Sequence, residues 1–285
     1  MALAAAVFIV LLILVAVLAP LVVKLFGARP PTEQGPQYLD SFGTPTGPSG
    51  DNIFGVDPLG RDLFSRVVYG ARVSLEVALI ATALSVAVGV VVGMVAGYYR
   101  GWIDTALSRF VDVLLAFPIL LLALGIGASC SLGNGCLGGL VQPGLSVVVF
   151  VIAFVNWTYI ARIIRGQVLS LREKELVEAA RAMGASDRRI IFREILPNLV
   201  APIIVYSTLI IPTNILFEAA LSFLGVGVQP PDPSWGAMLA DATDIFDTAW
   251  WYMVFPGAAL LLTVLAFNLL GDGLQDALDP RAGKS

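Results

Sequence analysis

The stretch REKELVEAARAMGASDRRIIFREILP, residues 172–197, is a highly charged interruption in an otherwise apolar half of the chain, and its reading decides the fold. Ten charged side chains fall between Arg172 and Arg193. At about 2.5–3.5 kcal/mol for each charge at mid-membrane, this segment cannot lie in lipid and must sit in water. Ser170 followed by Glu173 has the form of a capping box, Glu173 and Glu175 complement the positive end of a helix dipole, and Gly184 suits a C-terminal cap. The spacing predicts a helix of about thirteen residues. On it Leu176, Ala180 and Met183, with Val177 beside them, form a short apolar stripe, whereas Lys174, Glu178 and Arg181 fall on a charged flank. Ala179 and Ala180 allow close approach of a partner, Gly184 and Ser186 allow a sharp turn into a second amphipathic piece, and Pro197 is expected to open the next apolar run.

Working outward, the 285 residues are 58% hydrophobic and 13% charged, with a mean hydropathy of +0.86, a composition of membrane proteins. A hydrocarbon core of about 30 Å needs roughly 20 apolar residues per helix. Six runs qualify: 2–23, 77–97, 107–128, 144–164, 197–217 and 251–270. The fold expected is therefore all-α, an integral membrane protein of six transmembrane helices. The first run is uncharged and holds fifteen Leu, Ile, Val or Phe residues. A cleaved signal peptide is the alternative for it, but its apolar core exceeds the roughly 7–15 residues usual there, and no basic residue precedes it. That missing flank leaves room for a short cytoplasmic leader ahead of Met1. The uncharged stretch from Val113 to Ala161 is too long for one span and divides at the turn-forming 129–144. Between the first two runs lie Pro-, Gly-, Asp- and Ser-rich residues, read as an external loop. Its second half, Asp57 to Glu76, mixes charged and apolar residues at helical spacing and is expected to lie along the outer surface.

Orientation follows from Lys and Arg. With the N-terminus inside, residues 98–109, residues 162–193 and the C-terminal tail hold twelve of the seventeen basic residues and are cytoplasmic. The other five, Lys24, Arg29, Arg61, Arg66 and Arg72, fall outside or near the first two spans. Residues 226–250 carry none and hold Asp232, Asp241, Asp244 and Asp247.

The chain has no histidine, which removes His-based acid–base chemistry and the commonest zinc ligand. No metal site and no catalytic residue is expected, and nucleic acid is not an expected partner. There is no GxxxxGK[ST] phosphate loop, so this chain should bind no ATP itself. Cys130 and Cys136 are left open between a disulfide and free thiols. Within the spans, Asn156, Thr158, Asn214 and Glu218 are candidates to face a substrate pathway, with helix-to-helix hydrogen bonding the equal alternative. Pro118, Pro202 and Pro212 are read as shaping helices.

The order Glu178, Ala179, Ala180, Gly184, Leu196 and Pro197 resembles the EAA loop of ABC importer permeases. One position departs, Glu194 standing where that pattern favours Ile. A second EAA at Glu218 to Ala220 lacks the glycine, having Leu224 there, and falls outside. Further stretches resemble the C-type permease subunits of dipeptide, oligopeptide and nickel importers: GVDPLGRDLFSRVVYGARVSL at 55–75, DVLLAFP at 112–118, ALSFLGVGVQPPDPSWG at 220–236 and AFNLLGDGLQDALDPR at 266–281.

This resemblance implies a type I importer permease fold, with residues 1–70 as an N-terminal span plus external loop and 71–285 as a five-helix domain containing a coupling loop at 166–196. It implies that Glu178, Ala179, Ala180, Gly184, Leu176, Met183 and Arg181 contact an ATPase. The implied partners are a second homologous permease subunit, two ATP-binding cassette subunits or domains carrying ATP and Mg, and an extracytoplasmic substrate-binding protein. The implied location is a bacterial or archaeal cell membrane with both termini cytoplasmic, and the implied cargo is short peptides, with nickel or another small solute as the alternative. A secondary transporter or channel, or a membrane-embedded enzyme, is the rival class, and only the importer requires a nucleotide-binding partner.

Overall fold

The computed structural model describes residues 1–131 and 135–278. All regular elements among the described residues are helical: four helices are long and apolar enough to cross a membrane, and two bent pairs bring the number to six.

The first bent pair is α1 (Ala2–Val17) and α2 (Ala19–Leu25), which meet at 85°. A straight span over 2–23 was expected, and the break at Leu18 corrects it. Pro20 in the first turn of α2 has no N–H to donate, and its ring displaces the preceding turn, so α1 stops. The second pair, α4 (Gly101–Ala116) and α5 (Ile119–Ser131), meets at 88° in place of the continuous helix expected over 107–128. Phe117 is extended, with φ −80° and ψ 141°, because the ring of Pro118 excludes the helical conformation from the residue before it.

Helix α3 (Leu63–Tyr99) is a continuous 37-residue rod, capped by the Asp62 carboxylate accepting from the Ser65 N–H at 2.8 Å. The surface-lying helix expected over 57–76 is thereby corrected: from Leu63 onward those residues begin the rod. The boundary drawn at residue 70 falls within it.

Helix α6 (Leu145–Arg172) runs parallel to α3 along a seam of small residues. Ala81, Ser85, Gly89, Gly93 and Gly97 recur every fourth position of α3 and are all buried. A Cβ on Gly89 would stand 2.6 Å from Ile160 Cβ, on Gly93 2.6 Å from the Ala161 carbonyl oxygen, and on Gly97 2.8 Å from Val168 Cβ. Where lipid is as apolar as leucine, helices associate through such close approach of backbones.

Within the charged excursion, helix α7 (Glu175–Ala182) is followed by α8 (Asp187–Arg189), a π-helical turn at Ile190–Ile195 and α9 (Leu196–Phe223), the last three forming one helix, Asp187–Phe223. Pro197 stands in the first turn of α9, as expected for the start of the apolar run, although the helical path itself begins earlier, at Asp187. The widened π turn just ahead of it takes up the missing N–H and the ring. Helices α10 (Trp235–Ala242) and α11 (Trp250–Leu278) complete the bundle.

Residues 29–62 form a cap over the N-terminal ends of α3 and α11. The Arg29 guanidinium donates to the Gly60 carbonyl and to Asn52 Oδ1, each at 3.0 Å, and lies 3.5 Å over the Tyr38 ring. Asp57, fully buried, meets Arg61 Nε at 2.6 Å and Arg66 Nε at 3.4 Å, while Arg66 also donates to the Pro31 carbonyl at 3.2 Å. Trp251 Nε1 donates to the Val56 carbonyl at 3.2 Å, and Phe54 stacks on Phe255 with centroids 3.9 Å apart. Three of the five basic residues that fell outside the cytoplasmic segments are thus held by internal partners. Beside them, burial pushes the Asp62 carboxyl above the usual carboxylate range.

Candidate coupling site

The charged excursion folds into an eight-residue helix, shorter than the thirteen residues expected. Ser170 lies inside α6, so the capping box does not form; the chain turns at Glu173 and Lys174, and α7 begins without a side-chain cap. Glu175 and Glu178 occupy its first turn, where the helix dipole favours them. At its end the Gly184 N–H donates to the Arg181 carbonyl and the Ala185 N–H to the Ala180 carbonyl, both at 3.0 Å, with Gly184 at φ +76°. This is a Schellman cap, and its left-handed residue is the reason for glycine.

The structure splits the apolar stripe. Val177 and Ala180 are buried against Met94, Tyr98, Ile164, Val168, Ile190 and Ile195. Leu176 and Met183 point the other way, 51% and 81% exposed, beside exposed Glu178, Ala179, Arg181 and Gly184. Six of the seven residues expected to meet a partner are thus on the outer face; Ala180 is in the anchoring face, because a hundred degrees per residue separates it from Glu178 and sets it over Val177. The result is a short helix with one face held by the bundle and the other carrying apolar and charged groups into solvent.

Both ends of this excursion are fastened to the corner between α3 and α4. Arg172 donates to the Tyr98 carbonyl, Arg100 pairs with Glu173, and the Tyr98 hydroxyl donates to Asp187 Oδ1 at 2.6 Å. Along α4, Arg165 Nη2 donates to Asp104 Oδ2 at 2.7 Å and Arg162 to Asp112 Oδ1 at 2.6 Å, so α4 is tied to the C-terminal half of α6.

The four polar residues proposed for a substrate pathway are all buried between helices, away from any open surface of this subunit. Asn156 donates to Asn214 Oδ1 at 2.6 Å, and Asn214 donates to Thr82 Oγ1 at 2.7 Å, linking α6, α9 and α3. Thr158 bonds to the Val155 carbonyl within its own helix. Glu218 accepts from Ser74 Oγ at 2.7 Å and Ser222 Oγ at 2.8 Å, so the second EAA is part of the packed bundle. Of the two alternatives the sequence left open for these residues, Asn156, Asn214 and Glu218 show bonds between helices and Thr158 a bond within its own helix. Replacing Asn214 by leucine strands the Asn156 amide and the Thr82 hydroxyl, and should lower the melting temperature of the detergent-solubilised protein by the equivalent of about 1–3 kcal/mol. Restoring an amide with glutamine should recover less than half, since the longer side chain must also be accommodated.

Cys130 and Cys136 are joined by a disulfide at the C-terminal end of α5. Reading the sequence missed the small-residue seam, for which the four-residue spacing from Ala81 to Gly97 was the available signal. It also missed the Tyr98–Arg100 corner, for which no local pattern exists.

Residues 89–284 match the family described as binding-protein-dependent transport system inner membrane component. The dipeptide transport system permease protein DppC of Alkalihalophilus pseudofirmus is 45% identical over 235 residues, covering 82% of this chain and 74% of that protein. The glutathione transport system permease protein GsiD of Escherichia coli is 44% identical over 281 residues, 99% of this chain and 86% of that protein. Among solved structures, an inward-facing MetNI methionine ABC transporter superposes with a TM-score of 0.62 at 20% identity, over 75% of this chain and 96% of that chain. An amino acid ABC transporter with histidines gives 0.58 at 16% identity, over 75% and 95%. At those identities the superpositions establish the shared fold. The family match spans more than half of the chain, the relatives cover most of it, and the solved transporters share the fold; this chain belongs to the binding-protein-dependent transport system inner membrane components, the permease subunits of ABC importers.

Proposed function

We propose that this chain forms half of the translocation pathway of an ATP-driven importer for short peptides. A second, homologous permease subunit supplies the other half, since six spans enclose too little for a pathway alone. Two ATP-binding cassette subunits or domains hold ATP and Mg, and an extracytoplasmic binding protein delivers cargo. The chain sits in the cell membrane with both termini cytoplasmic.

The observation that carries this reading is the outer face of α7, where Leu176, Met183, Glu178 and Arg181 stand in solvent on a helix whose other face is locked into the bundle. A rigid, partly apolar knob of this kind suits a groove on a motor subunit, and closure of paired ATPases would then swing the bundle between inward-open and outward-open states. Peptide cargo is favoured by the two relatives, whose names specify dipeptide and glutathione.

Reconstituting the assembled complex and measuring ATPase stimulation by a panel of peptides and metal chelates tests the reading. Di- and tripeptides, glutathione among them, should stimulate hydrolysis and nickel chelates should not. Stimulation by chelates alone would remove the peptide assignment, and failure of any ATPase to co-purify would remove the importer mechanism.

A further inference from the structure

We infer that Tyr98 and Arg100, at the corner between α3 and α4, are the positioning residues through which displacement of α7 reaches those two helices. The inference rests on the reading of α7 as the element gripped by the ATPase.

The covalent chain offers the stroke only two routes, back through α6 and forward through the helix Asp187–Phe223. The side chains add a third. Arg172 ends α6 and Glu173 follows it, one residue short of the Lys174 that leads into α7, and Asp187 is the first of the helix after α7. All three bond to the same corner: Arg172 to the Tyr98 carbonyl, with its guanidinium 5.6 Å over the Tyr98 ring, Glu173 to Arg100, and Asp187 to the Tyr98 hydroxyl. The loop that carries α7 is therefore closed across its base by one buried tyrosine and its neighbour. Val177 and Ala180 belong to the same buried cluster as Tyr98 and Met94. Movement of α7 cannot leave the corner behind without breaking these bonds together.

The backbone at the corner carries a separate mark. Arg100 sits at φ 55° and ψ −161°, a conformation that residues with side chains rarely adopt, and Gly101 follows at φ 59°. Such a residue persists only where its surroundings fix it, and here the surroundings are the base of the α7 loop. Beyond the corner, the pairs Arg165–Asp104 and Arg162–Asp112 hold α4 against α6, so that the corner, α4 and the C-terminal half of α6 move as a unit.

The test uses the complete transporter in vesicles, reading peptide taken up per ATP hydrolysed together with the melting temperature of the complex. Tyr98→Phe removes the hydroxyl that bonds Asp187 and faces Arg181, and keeps the ring in its buried cluster. It should lower uptake per ATP by roughly fivefold, the low end of typical coupling between sites, with melting unchanged. Arg100→Glu and Glu173→Arg should each act in the same direction, and the double variant, which rebuilds the pair with reversed polarity, should restore the ratio. An unchanged ratio in all single variants, or lower melting with an unchanged ratio, would overturn the inference. So would a double variant no better than the singles, and this charge swap decides the matter if Tyr98→Phe fails to assemble. Glu178→Arg measured alongside separates the two levels: uncoupling there with normal corner variants sinks the corner alone, whereas no effect of Glu178→Arg sinks the docking of α7.

Discussion

Gly93→Leu should abolish accumulation of folded protein in the membrane. Even a methyl group at this position would lie 2.6 Å from the Ala161 carbonyl oxygen, 2.9 Å from Ile164 Cβ and 3.1 Å from the Arg165 amide nitrogen. Two of these three atoms belong to backbone, which cannot rotate out of the way as a side-chain tip can. Accommodation requires α3 and α6 to separate along the whole seam, because Ser85, Gly89 and Gly97 share it. Overpacking in a well-packed core costs about 1–3 kcal/mol for modest insertions, and a leucine against backbone should exceed that range. Membrane-fraction yield and resistance to detergent-induced aggregation give the measurement. Gly166→Leu, where a Cβ would meet nothing within 4 Å, is the control expected to accumulate normally. Wild-type yield of Gly93→Leu would mean that the seam does not hold these helices together.

Glu178→Arg should have the opposite profile, leaving the fold intact while reducing peptide uptake by roughly 100-fold, the upper part of the range for coupling between sites. The side chain is exposed, forms no ion pair among the described residues and sits on the outer face of α7. Reversing its charge removes a favourable position in the first helical turn, worth only about 0.3–1 kcal/mol, and disturbs no buried group. Its effect must therefore fall on what meets that face. Uptake by vesicles, with the amount of assembled complex measured beside it, is the readout. Undiminished uptake would contradict the role given to α7.

The number and approximate places of the apolar helices were legible in the sequence because bilayer thickness imposes a length and a composition that any inspection detects. The coupling segment was legible for a different reason, since charge excluded it from lipid and the order of Glu178, Ala179, Ala180 and Gly184 carried a resemblance. What escaped were the places where the two ends of a run point in different directions. Hydropathy is blind to the bends at Leu18 and Phe117, and the prolines that cause them, Pro20 and Pro118, occur in stretches as apolar as those around Pro202 and Pro212, where α9 continues. Whether proline breaks a span depends on what its neighbours offer the freed carbonyl, which is a property of the packed bundle. The split of Leu176 and Met183 from Val177 and Ala180 was hidden similarly: four apolar residues on one short helix do not announce which pair faces the protein. The polar residues Asn156, Asn214 and Glu218 were found with two alternatives left open, because a costly polar group in a membrane can be satisfied by a neighbouring helix as well as by a pore.

The cap built from residues 29–62 also constrains the order of biosynthesis. Its carbonyl at Val56 and its ring at Phe54 find their partners in Trp251 and Phe255, which leave the ribosome after nearly every other part of the chain. Until α11 is in place, the cap stays unfinished, with the ring of Phe54 lacking its stacking partner and the Val56 carbonyl its donor. Completion of that small structure thus reports that α11 has been made and has inserted.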